Sequence, residues 1–207
     1  MEKVSWSGRI ISVQPRIRLN RSFDERGHSY LGYCLVIEGL IDGETRQFSV
    51  GIGKAAQAKH QFQVGDEVSG QSVPVADPRK EPVEFYRASK LQVLERGGEP
   101  AGEPPPWHGL PPDLETYRWR GHRRLAARTY AGKCTSCIWG CRMPVEMIID
   151  PWQRTKRYRF ETFCYGPKSC AFYKAGPRRV VPGRKGMQWE EPDWLDDELT
   201  AHRGPDE

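Results

Sequence analysis

Apolar and polar residues alternate in five runs between residues 4 and 95, which is typical of strands that bury one face. The first run, "VSWSGRIISVQPRIRL", changes phase between Ile10 and Ile11. This change predicts one long strand that bends at a β-bulge. The other four runs are "SYLGYCLVIEGLI", "TRQFSVGIG", "VGDEVSGQSVPV" and "PVEFYRASKLQVLE". Between the third and fourth runs, "KAAQAKHQF" predicts a short helix.

The order of these elements resembles the OB-fold over roughly residues 4–95. A long bulged strand is followed by a hairpin with an Asp-Gly turn ("GLIDGET"), a third strand, a short helix and two more strands. Gly8 and Gly51 lie inside strands, where a small barrel has to bend. The resemblance rests on topology and turn chemistry, and it implies a five-stranded Greek-key barrel. The predicted fold class is therefore mainly β: an OB-like barrel plus a small metal-stabilised α+β module.

The predicted barrel domain covers residues 1–96. The composition of the remaining chain predicts three further parts. Residues 97–112, "GGEPAGEPPPWHGLPP", contain ten Gly or Pro and predict a semi-extended linker. In residues 113–187, the segment "DLETYRWRGHRRLAARTY" predicts a basic helix with Asp113 as its N-cap, and a cysteine module follows it. Residues 188–207 form an acidic tail, which either competes for a basic surface or is a solvated, disordered end.

Five of the six cysteines lie between residues 134 and 170. Their spacing resembles a zinc-ribbon-like module, in which a knuckle and a closing loop flank a hairpin. The resemblance implies a structural zinc ion held by Cys134, Cys137, Cys164 and Cys170. Cys141 is an alternative ligand, because C-x2-C-x3-C followed by proline resembles part of a ferredoxin motif and keeps an iron–sulfur cluster open.

Charge is distributed unevenly along the chain, although the net charge is only +5. Residues 153–185 contain ten Lys or Arg and one acid, whereas residues 186–207 contain eight acids and one Arg. A basic block of this kind predicts a surface that binds a polyanion. The predicted nucleic-acid-binding residues are Arg154, Lys156, Arg157, Arg159, Lys168, Arg178, Arg179, Arg184 and Lys185. The last four lie in "GPRRVVPGRKG", which is interpreted as a flexible loop.

The loops that flank the ligand-binding face of an OB-fold give weaker support for the same partner. They are "NRSFDERGHS" and "ADPRKEP", and both mix basic residues with acids. We therefore expect a cytoplasmic nucleic-acid-binding module, with RNA or single strands favoured because no recognition helix is evident. Two alternatives remain open: an iron–sulfur redox or enzyme subunit, and a zinc-stabilised protein–protein adaptor. No catalytic motif is found, so the sequence favours a binding protein over an enzyme.

Overall fold

A computed structural model describes residues 2–22, 25–98 and 103–207, and it confirms a mainly β chain. Among these residues, no helix is long and apolar enough to cross a membrane. The strands are β1 (Val4–Arg21), β2 (Arg26–Ile41), β3 (Glu44–Ile52), β4 (Glu67–Pro74), β5 (Phe85–Glu95), β6 (Arg123–Arg124), β7 (Gly140–Asp150), β8 (Thr155–Cys164), β9 (Val180–Pro182) and β10 (Gln188–Glu190). The α-helices are α1 (Lys54–His60), α2 (Leu114–Arg120), α3 (Ala127–Thr129) and α4 (Trp194–Thr200).

The first five strands form a closed ring. Around the ring the order is β1, β2, β3, β5, β4 and back to β1, and all pairs are antiparallel except β3 with β5. The register of β1 against β2 shifts between Ile10 and Ser12, which confirms the bulge predicted at this position. The bulge lets one strand of 18 residues bend far enough to pair with β2 along one edge and with β4 along the other.

Alternating side chains of the five strands fill the inside of the ring. Ile10, Leu35 and Val50 are fully buried there, as the period-2 pattern predicts. Trp6 is also buried, and its indole N–H donates a hydrogen bond to Ser72 Oγ at 3.0 Å. Alternation along each strand therefore decides which face is core.

The second half of the chain extends the same sheet. Strands β7 and β8 form an antiparallel hairpin, and β7 pairs in parallel with the end of β1 through Leu19 and Val145. The result is one eight-stranded sheet that also includes β6. Met143 and Phe163 join the hydrophobic cluster that fills the ring. The predicted boundary at residues 97–112 therefore interrupts neither the sheet nor the core.

Two local predictions for the second half need correction. Asp113 does cap α2, since its Oδ1 accepts a hydrogen bond from Thr116 N–H at 2.7 Å, but the helix ends at Arg120. Gly121 follows with φ +63°, a left-handed conformation that stops the predicted basic helix early. The interpretation of "GPRRVVPGRKG" as a flexible loop is also wrong, because β9 lies within it and pairs with β10.

We predict that Gly32 is essential to the closed ring. Its φ is +134°, and an added Cβ would clash with the Ile52 carbonyl oxygen of β3. Gly32→Ala should therefore lower the free energy of unfolding by about 2–4 kcal/mol, measured by urea denaturation. Gly27 is the matched control, because nothing lies within 4 Å of a Cβ built there. Equal midpoints for Gly32→Ala and Gly27→Ala would contradict this account of the ring.

Candidate functional site

The four cysteines predicted to act together do line one small cavity. Cys134 ends a π-helical turn, Cys137 follows it, Cys164 ends β8, and Cys170 lies in the next loop. The cavity has a volume of only about 10 Å³, and Trp107, Trp139 and Phe172 are among its other lining residues. The surroundings of the four thiols are thus largely apolar.

Burial favours the neutral form of three of these thiols, those of Cys134, Cys137 and Cys164. It raises the pKa of Cys134 to about 12 and the pKa of Cys137 to about 11. Burial also raises the pKa of Cys164, although the Arg123 guanidinium and the Gly166 N–H act in the opposite direction. Neutral thiols in an apolar cavity behave as small hydrophobic side chains.

The predicted zinc ion is wrong, and so is the alternative of an iron–sulfur cluster. Among the described residues, which include all six cysteines, no group of three or more His, Cys, Asp or Glu side chains is arranged to hold a metal ion. The reason is geometric, because the four thiols line one cavity without being arranged around a point that a metal ion could occupy. The module is therefore not metal-stabilised in this structure. It is held by the shared sheet and by hydrogen bonds from β1.

The two remaining cysteines lie elsewhere. Cys141 is fully buried in the main core, and its thiol donates to the Pro15 carbonyl oxygen at 3.4 Å. It is thus separate from the four-cysteine cavity. Cys34 is only partly buried and lines a groove on the outer face of the ring. Burial nevertheless raises its pKa to about 12.

Most of the predicted basic residues are already paired within the protein. Of the nine, six have a partner: Lys156 pairs with Glu146, Arg159 and Arg179 with Glu161, Arg178 with Asp193, and Arg184 with Asp150, while Lys168 donates to the Arg203 carbonyl oxygen. In the described part of the chain, the side chains of Arg154, Arg157 and Lys185 make no hydrogen bond or ion pair. The nine residues therefore do not form a single free basic surface.

Strand β8 separates its predicted residues onto two faces. Lys156, Tyr158 and Phe160 alternate with Arg157 and Arg159 along the strand. The Arg159 side chain donates to the Val180 carbonyl oxygen at 2.8 Å, so this second face is turned toward β9. The first face carries the aromatic side chains, and both of these rings are half-buried.

Basic side chains from two other elements cover these aromatic rings. Arg79 and Lys80, in the β4–β5 loop, lie over the Tyr158 ring at 4.7 Å and 5.5 Å from its centroid, and both also pair with Asp77, at 2.9 Å and 3.9 Å. Arg142 of β7 lies over the Phe160 ring at 3.7 Å. We call these five residues the aromatic–basic stripe. Trp152, in the turn between β7 and β8, is 83% exposed at one end of the hairpin.

The stripe leads into a groove of about 510 Å³ on the outer face of the ring. The floor comes from β1, β2 and β3, with Gln14, Val36 and Gln47 among its residues. The walls include the β4–β5 loop, the cysteine-bearing turn and Arg142, which belongs to both the stripe and the groove. Hydrogen-bonding side chains and one unpaired guanidinium thus line a concave surface. Arg142 makes no ion pair within the described residues.

Part of this surface was predicted from the sequence, but Arg142, which joins the stripe to the groove, was not. Arg79 and Lys80 were expected in a ligand-binding loop, but nothing in the sequence indicated that they cover Tyr158. Arg142 was not predicted at all. The available signal was the alternation of β7, which places Arg142 on the same face as Pro144 and Glu146 and therefore beside the aromatic side chains of β8.

The other predicted ligand-binding loop, between β1 and β2, makes its contacts within the protein. Arg21 and Arg26 at its two ends both pair with Glu191, at 3.0 Å and 3.1 Å. Phe23 lies outside the described residues. His28 packs against the buried His122, with 4.8 Å between the ring centroids. This loop therefore contacts the acidic C-terminal segment.

Comparison with known proteins identifies no relative for this arrangement. No protein-family model matches the chain, and no significant match is found among curated proteins or solved structures. The functional interpretation rests on the geometry of the stripe, the groove and their charges.

We predict that the histidine pair makes folding stability depend on pH. Burial, with help from the charges of Arg26 and Arg21, lowers the pKa of His28 from 6.5 to about 4, and burial also lowers the pKa of His122 well below its usual value. The unfolded chain binds protons first as the pH falls. Stability is therefore complete above about pH 6.5 and is lost toward pH 4, by up to about 1.4 kcal/mol per pH unit for each group.

Urea denaturation between pH 7.5 and pH 4.5 measures this effect. His28→Gln should flatten the dependence, because it removes one of the two groups. His202→Gln, at an exposed histidine, should keep the wild-type slope. An unchanged slope in His28→Gln would show that the pair does not control acid stability.

Proposed function

We propose that this protein binds single-stranded nucleic acid, RNA or DNA, along the aromatic–basic stripe and the adjoining groove. One observation carries the proposal: the stripe places three cationic side chains on two aromatic rings and leads directly into a concave surface that combines apolar and hydrogen-bonding side chains. Single strands are bound by this combination, because bases stack on aromatic rings or guanidinium planes while cations neutralise phosphates.

The chemistry of the groove fits exposed bases. The amide of Gln47 and the hydroxyl of Ser49 are among its polar groups, and such groups bind base edges through hydrogen bonds. Trp152 offers a further stacking surface at the far end of the hairpin. A strand lying along this path would have phosphates near the stripe and bases over the groove.

We also infer that the closed five-strand ring is an OB-like barrel. Its strand order, its bulged first strand and its short helix between the third and fourth strands agree with that fold. OB-folds bind oligonucleotides on the face of their second and third strands, between the β1–β2 and β4–β5 loops. Here the groove lies partly on β2 and β3. The β4–β5 loop contributes Arg79 and Lys80 to the stripe.

The stripe should determine the salt dependence of binding. Each phosphate contact with a single strand contributes about −0.7 to the slope of log K against log salt. Arg79→Ala, Lys80→Ala and Arg142→Ala together should therefore make the slope for 20-nucleotide oligo(U) or oligo(dT) shallower by about 2. Fluorescence anisotropy over a salt series measures both the affinity and the slope.

A triple variant with the same loss of charge is the control. Lys59, Arg87 and Lys90 are exposed and lie outside the stripe and the groove, so their replacement by alanine should change the slope much less. If both triple variants behave alike, binding depends on net charge and the stripe is not the site. If wild-type protein binds neither oligonucleotide at low salt, the proposed function is wrong and the surface fits a protein partner better.

Trp152 should contribute through stacking. Loss of one base–aromatic stack costs about 1–3 kcal/mol. Trp152→Ala should therefore weaken oligonucleotide binding roughly 5-fold to 150-fold and leave the salt slope unchanged, since no phosphate contact is removed. Trp119 is the matched control, because it is 55% exposed but belongs to α2 and packs on His202. Equal affinities for the two variants would exclude stacking by Trp152.

A further inference from the structure

The acidic C-terminal segment binds to the arginines of the body. We call residues 188–200 the C-terminal strap. Three of its carboxylates each reach one or two arginines: Glu191 pairs with Arg21 and Arg26, Asp193 with Arg124 and Arg178, and Asp196 with Arg124. The alternative of a disordered tail is therefore wrong. Carboxylates follow one another along the strap much as phosphates follow one another along a strand.

Both charged and apolar contacts attach the strap. Leu195 and Leu199 are half-buried, whereas Trp194 is 59% exposed, Met187 beside the strap is 51% exposed and Trp189 is 36% exposed. The ion pairs differ in exposure: Glu191 and Arg21 are almost fully buried, whereas the pair between Arg178 and Asp193 is more than half exposed on both sides. Exposed pairs of this kind are weak individually and are screened by salt.

Both ends of the strap stay attached to the body. At one end β10 pairs with β9. Beyond the other end, Arg203 is buried and donates to the Gly166 carbonyl oxygen at 3.1 Å. The middle of the strap therefore returns to its arginines as a tethered competitor, whose effective concentration is on the order of millimolar for a short connection.

The arginines beneath the strap lie on the face of the β7–β8 hairpin that is turned toward β9, opposite the stripe, so a strand on the stripe reaches them around the end of the hairpin. Arg21 ends β1, and β1 pairs with β7 of the same hairpin through Arg21 and Met147. Just before the strap, Arg184 pairs with Asp150 in the hairpin at 3.1 Å. The strap thus begins beside the hairpin that carries Trp152 and runs to the β1–β2 loop.

We propose that the C-terminal strap is an autoinhibitory segment that occupies arginines available to a nucleic-acid strand. A strand that extends beyond the stripe exchanges its phosphates for the strap carboxylates at Arg26, Arg124 and Arg178. The strap then lowers the affinity of the protein for long polyanions. Only polyanions that displace the strap bind to its arginines. This inference rests on the proposed function.

Asp193→Asn with Asp196→Asn tests the strap. The double variant removes the carboxylate charges at Arg124 and Arg178 and keeps the side-chain shapes. It should bind 20-nucleotide oligo(U) at least about threefold more tightly than wild type, with a slope of log K against log salt steeper by about 0.7–1.4, which corresponds to one or two added phosphate contacts. Thermal unfolding of the double variant reports whether the fold is retained.

Asp197→Asn with Glu198→Gln is the matched control. These two acids lie on the same helix, are exposed, and make no ion pair among the described residues. The charge change is identical, so net charge alone would affect both variants equally. If the two variants share one affinity and one slope, the strap is structural and the inference is overturned.

Hydrogen exchange of wild-type protein gives an independent readout. Binding of oligo(U) should accelerate exchange in residues 191–200, because this part of the strap leaves its arginines, and slower exchange there would overturn the inference. If the wild type binds oligo(U) and the Asp193→Asn, Asp196→Asn variant binds it equally well, the autoinhibitory role of the strap is refuted but the proposed function is not. Absence of binding by wild type and by the Asp193→Asn, Asp196→Asn variant at low salt would instead refute the proposed function, and the strap with it.

Discussion

The pairing of β1 holds the whole structure together. This strand pairs with β2 along its length, with β4 through its first third, and with β7 at its end. One bent strand can serve three neighbours only because the bulge at Ile11 and the close approach at Gly8 let it turn. Closure of the ring and attachment of the hairpin are therefore consequences of the same strand.

Side chains of β1 also position the cysteine-bearing turn. Gln14 is buried, and its amide N–H groups donate to the carbonyl oxygens of Cys134 and Cys137 at 2.8 Å and 2.9 Å, while its oxygen accepts from the Tyr130 hydroxyl at 2.7 Å. Ser12 donates to the Thr135 carbonyl oxygen at 2.6 Å. This turn forms one wall of the groove, so β1 provides the floor and holds the wall in place.

The five strands of the ring were predictable from the sequence, whereas the ion-pair partners of the basic residues were not. Alternation identified five strands and the bulge, because a buried face imposes a period of two on every residue. The cysteine spacing correctly grouped Cys134, Cys137, Cys164 and Cys170, but the spacing does not encode burial, and the inferred metal was wrong. Likewise, the count of basic residues contained no information on partners: Arg179 looks free in the sequence but is held by Glu161, from a strand 18 residues earlier.

The central claim is that a single strand lies along the stripe and over the groove. Ultraviolet cross-linking of oligo(U) to the wild-type protein, with mass-spectrometric identification of the linked peptides, tests it most directly. The account predicts cross-links to the peptides that contain Trp152, Tyr158 and Phe160. Cross-links confined to Trp119 or to the α1 region, with none in the β7–β8 hairpin, would contradict it.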